Sequence, residues 1–90
     1  MGVTRHAERL ARTGTSQTLT DAELDLAHQP TTRDPRPKKV RAWVRFRNSP
    51  AEVDALVHAW TERAAAISFE LAGKTYRTWV WASAVRSPPR

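Results

Sequence analysis

Apolar and polar residues alternate strictly in Lys39-Val-Arg-Ala-Trp-Val-Arg-Phe-Arg47, where Val40, Ala42, Val44 and Phe46 interleave with Lys39, Arg41, Trp43, Arg45 and Arg47. Side chains alternate across a strand, so this period predicts one oily face and one basic, aromatic face. The period then changes. Val53, Leu56, Val57, Trp60 and Ala64 recur at helical spacing behind Ser49-Pro50-Ala51-Glu52. Ser49 has the chemistry of an N-cap, Pro50 suits the first helical position and Glu52 completes a capping box, which together predict a helix running to about residue 65. Strand formers return in Ile67, Phe69 and Leu71 and again from Tyr76 to Ala82, with Gly73 between them. A two-residue turn at Gly73-Lys74 sets Leu71 opposite Tyr76, Phe69 opposite Thr78 and Ile67 opposite Val80, with Glu70 beside Arg77.

Upstream the patterns are shorter. Ala7, Leu10 and Ala11 suit one helical turn or two before Gly14, and Thr20 with Glu23 forms a second capping box, with Leu19 and Leu24 placed as a hydrophobic staple. Three prolines between residues 30 and 38 read as an extended linker. The chain thus divides into a helical N-terminal arm (1–29), a Pro-rich linker (30–38), a β-α-β-β domain (39–86) and a loose tail (87–90). The expected fold class is α+β, a three-stranded, mostly antiparallel sheet in order 2-3-1 packed on one helix. Val40, Val44, Phe46, Ile67, Phe69, Leu71, Tyr76 and Val80 would face Val53, Leu56, Val57 and Trp60. The opposite face would gather Arg41, Trp43, Arg45, Arg47, Arg77, Trp79 and Trp81.

Ninety residues make one small domain with a marginal core. A formal charge of +6 favours acidic partners. The absence of cysteine removes disulfide and thiol chemistry. No apolar run reaches the roughly 18 residues of a membrane span, and the first residues lack the apolar stretch of a signal peptide, so a cytoplasmic protein without a membrane partner is expected. The Ala-, Arg- and Val-rich usage is that of a high-GC bacterial or phage genome. Catalysis has little support. His6, His28 and His58 lie in separate segments, and Asp54, His58 and Glu62, stacked on the expected helix, read as ordinary i,i+4 neighbours. No nucleophile elbow or glycine-rich phosphate loop is present. A non-enzymatic protein without a cofactor or metal is expected.

Three tryptophans on a second sheet face are too much apolar surface to leave bare. The arm or a second copy, sheet on sheet, would cover them, or a partner would. Nucleic acid fits, single-stranded by preference, because bases stack on aromatic rings while arginines hold phosphates. A protein-interaction or assembly role, homo-oligomeric and using the same face with the arm, is the alternative. Residues 38–63 also resemble the strand and first helix of ribbon-helix-helix DNA-binding proteins. That resemblance implies Arg41, Trp43 and Arg45 entering the major groove, although residues 67–82 carry strand chemistry where that family has a second helix.

Overall fold

A computed structural model describes residues 16–46 and 49–87. Five antiparallel strands form one sheet: β1 (Thr32–Phe46), β2 (Ser49–Trp60), β3 (Ala64–Leu71), β4 (Lys74–Trp81) and β5 (Val85–Arg86), in the order β4-β3-β2-β1-β5. A single helical turn, α1 (Asp21–Leu24), precedes them, and a 3-10 turn, η1 (Ala82–Ala84), links β4 to β5. The expected β-α-β-β domain with a helix on a three-stranded sheet is therefore corrected to an all-antiparallel meander.

The correction turns on residues 49–60. Ala51, Val53, Ala55, Val57 and Ala59 are all buried, whereas Asp54 and Leu56 between them are exposed. That is a period of two, and it runs alongside the helical spacing in the same residues. Two β-branched valines favour the extended chain. The decisive term is pairing, because β1 needs a partner for its ladder. Phe46 sits opposite Ser49, Val44 opposite Ala51 and Ala42 opposite Val53, so both strands aim their apolar halves at one core. Pro50 lies next to the strand start, where a missing N–H is tolerated. Glu52, instead of capping a helix, forms ion pairs with Arg41 of β1 (3.7 Å) and Arg86 of β5. The likeness to ribbon-helix-helix proteins ends here, since its helix is a strand.

The Pro-rich segment is likewise part of β1. Its pairing with β2 jumps from Arg33↔Ala59 to Lys38↔Val57, so Asp34, Pro35, Arg36 and Pro37 bulge out of the ladder. Prolines cannot donate to a ladder and collect where it is interrupted. Asp34 Oδ1 accepts the Arg36 N–H at 2.9 Å and steadies the bulge. Of the upstream helices, the first lies outside the described residues. The second is one turn long, with both capping-box bonds made: Thr20 N–H to Glu23 Oε1 (3.0 Å) and Glu23 N–H to Thr20 Oγ1 (3.2 Å).

The core joins Ala42, Val44 and Phe46 to the inward residues of β2, to Ile67, Phe69 and Leu71 of β3 and to Val80 of β4. Phe46 meets Phe69 and Tyr76 edge-on at 6.3 and 6.0 Å, while Phe69 and Tyr76 stack at 5.2 Å across β3 and β4. Such aromatic pairs add to the stabilisation that area burial supplies. At the far end Leu71 pairs with Lys74, so the turn is Ala72-Gly73, with φ of +52° and +77°. Two positive φ values in a two-residue loop are those of a type I′ turn. The register is accordingly Phe69↔Tyr76 and Ser68↔Arg77, two residues away from the sequence expectation, which leaves every side chain on its expected face.

Two substitutions test this account. Phe46→Ala removes the hub of the aromatic cluster and should cost about 3–5 kcal/mol in urea unfolding, enough to unfold much of a small domain. Ala72→Asn places a residue tolerant of positive φ in the turn, and should stabilise by roughly 0.5–1 kcal/mol in the same assay.

Candidate functional site

β1 and β4 are not neighbours in the ladder, yet residues 16–19 bring them together. Ser16 bridges Phe46. The Gln17 N–H donates to the Arg45 carbonyl at 2.7 Å, while the Gln17 carbonyl accepts the Thr78 hydroxyl at 2.6 Å. One residue on, Thr18 Oγ1 accepts the Trp79 N–H at 2.9 Å, and the Leu19 N–H donates to the Trp79 carbonyl at 3.0 Å. The arm is thus a short extended segment wedged between the two strands, hydrogen-bonded to both. Buried Thr78 makes sense in that setting: its hydroxyl satisfies a backbone acceptor that water would otherwise have to reach. Further round, β5 covers the same edge of β1 at Arg41 and Ala42.

Outside this seam lies an open groove of about 580 Å³. Trp43 and Arg45 of β1 line it, as do Trp79 and Trp81 of β4, Gln17 and Leu19 of the arm and Glu23 of α1. Trp43 and Trp81 are 49% and 41% exposed, whereas Trp79, under the arm, is half-buried. Alternation explains the placement. Ala42 and Val44 point inward and so turn Trp43 out; Thr78 and Val80 do the same for Trp79 and Trp81. The sequence places Trp43 and Trp79 on adjacent strands of an open sheet; the structure joins their strands through the arm instead.

Four of the seven singled-out residues, Trp43, Arg45, Trp79 and Trp81, therefore converge. Arg41 and Arg77 do not line the groove, and Arg47 lies outside the described residues. Arg41 has internal work: it faces Arg86 across β1 and β5, and Asp54 (3.2 Å) and Glu52 offset the repulsion between the two guanidiniums. Glu52 is only 10% exposed, so its pairing with both arginines also compensates the desolvation of its charge. Arg77 is exposed on β4, opposite Ser68. The groove residues that sequence reasoning missed are those of the arm and α1. The Thr20/Glu23 capping box was their visible trace, but it reports a helix start and not where that helix docks.

Asp54, His58 and Glu62 are dispersed by the strand. Asp54 meets Arg41, His58 Nε2 shares a 2.6 Å hydrogen bond with Ser68 Oγ, and Glu62 sits in the turn after β2. Among the described residues no group of three histidines and carboxylates could hold a metal ion. No helix among them is long and apolar enough to cross a membrane. No family model matches the chain, and neither a curated protein nor a solved structure matches it.

The seam makes a direct prediction. Thr78→Val keeps the shape but removes the hydroxyl that holds the Gln17 carbonyl, and should destabilise by about 1–2 kcal/mol. Release of the arm should red-shift tryptophan emission as Trp79 meets water, and should speed proteolysis between residues 16 and 24. Unchanged emission and cleavage would mean the arm is held by its other bonds alone.

Proposed function

We propose that this is a small, cytoplasmic, non-enzymatic binding protein that takes single-stranded nucleic acid into the groove between β1 and β4. The observation that carries the reading is the convergence of three indoles, two of them substantially exposed, on one open groove that Arg45 also lines. Aromatic faces of this kind stack bases irrespective of sequence, and each stacked base contributes about 1–3 kcal/mol. A concave site suits a base that has left its helix. A duplex reader would need a protruding strand or helix to enter the major groove, and Trp43 and Trp81 instead form walls. The charge of +6 supplies the attraction to phosphate over distance. Arg77, exposed on the same strand as Trp79 and Trp81, extends the basic surface beyond the groove.

The same exposed indoles also suit a protein partner, and salt separates the two. Titration with oligomers of about eight nucleotides should quench tryptophan emission and saturate, with an affinity whose logarithm falls by about 0.7 per tenfold rise in salt for each phosphate contacted. Trp43→Ala and Trp81→Ala should each weaken binding roughly tenfold or more, and Arg77→Ala should reduce the salt slope. Equal binding of duplex and single strand, or no quenching at low salt, would count against the proposal. A salt-insensitive self-association abolished by Trp81→Ala would replace it with an assembly role.

A further inference from the structure

Glu23 is out of place in a groove for polyanions. It is the one carboxylate among the described residues lining the indole groove. It is also held: Oε1 accepts the Thr20 N–H at 3.0 Å, and the Glu23 N–H is bound in return by Thr20 Oγ1. A carboxylate has about four acceptor positions, so this one bond leaves capacity for a donor from a ligand. The carboxylate repels phosphate. A strand in the groove is thus driven to keep its backbone away from α1 and to turn base edges towards it.

We propose that Glu23 is a specificity-determining residue, selecting bases that present an exocyclic amine, cytosine above all, over thymine and uracil. The inference rests on the reading of the groove as a single-strand site. The two kinds of pyrimidine have nearly the same stacking face, so Trp43, Trp79 and Trp81 cannot separate them. They differ at one edge position, where cytosine offers the N4 amino donor and thymine or uracil the O4 acceptor. A fixed carboxylate attracts the first and repels the second. The capping box makes the discrimination sharper, because a carboxylate pinned to the backbone cannot swing aside to admit O4.

Glu23→Gln tests the assignment with little risk to the fold, since glutamine also completes a capping box through its amide oxygen. Its amide nitrogen then offers a donor where the second carboxylate oxygen stood. At pH about 7.5, the unaltered protein should bind a deoxycytidine oligomer of about eight nucleotides roughly tenfold tighter than the thymidine oligomer. In E23Q the ratio should fall to within about twofold or invert, with tryptophan emission of the free protein unchanged because the arm stays docked. Glu62→Gln, a charge change in the turn after β2, should leave the ratio as it was. Equal affinity for the two oligomers in the unaltered protein, or a ratio that survives in E23Q, would overturn the role of Glu23 while leaving the groove a base-stacking site. Failure of both oligomers to bind would instead remove the single-strand reading on which the role depends.

Discussion

The structure depends on four backbone-directed hydrogen bonds at one seam. A meander of five strands has two ends, and an end presents unpaired N–H and C=O groups. Here the sheet curls until β1 and β4 approach, and residues 16–19 satisfy the facing edges of both. Without that segment, the Trp79 amide and the Arg45 carbonyl lose their partners, and β1 and β4 have nothing between them to set their distance. The groove is a by-product of closure: its walls are the outer faces of the joined strands, and its rim is the joining segment with the turn that follows. Core and site are therefore not separate parts. The buried aromatic cluster of Phe46, Phe69 and Tyr76 holds the sheet from within, while the arm holds it from without.

Electrostatics follow the same geometry. The outer face of β1 is strongly cationic in sequence, but its cations have different employment. Arg41 and Arg86 are gathered by Glu52 and Asp54 into a cluster that fastens β5 to β1 and β2. Arg45 lines the groove and Arg77 stands on β4 in solvent. A count of basic residues thus overstates what is available to an anion. The positions that matter are those whose neighbours on the face are tryptophans.

How much of this was legible in the chain varies by element. The alternation around residues 39–46 speaks for itself, as does the run of strand formers on either side of Gly73, because few other arrangements bury Val44 and Phe46 while exposing Trp43 and Arg45. The outward set Arg77, Trp79 and Trp81 survives even a turn placed one residue late, since the register moved by two and parity was kept. Residues 49–60 were misleading for a definite reason. Val53, Val57 and their neighbours satisfy both periods, and Ser49, Pro50 and Glu52 imitate a helix start, so local chemistry pointed one way and the ladder of β1 the other. Leu56, 37% exposed, shows which side won. The segment from Pro30 to Lys38 hid its strand because prolines mark an interrupted ladder as readily as a linker. Closure left no trace at all: bonds to Gln17 and Leu19 are made by main-chain atoms, which every residue possesses.

The seam also orders events in time. The bonds from Gln17 and Thr18 reach residues 61 positions further along the chain. Each hairpin, by contrast, closes over a few residues and can form as soon as its own two strands exist. During synthesis the arm emerges first and β4 nearly last, so the segment that completes the sheet must wait for most of the domain to be made. Until Trp79 arrives, the β1 edge near Arg45 and Phe46 is half-dressed, a nascent surface with an unpaired strand and exposed aromatics. Here the earliest-made piece finishes the fold, and the interval before it docks is the period in which this chain is most open to the wrong partner.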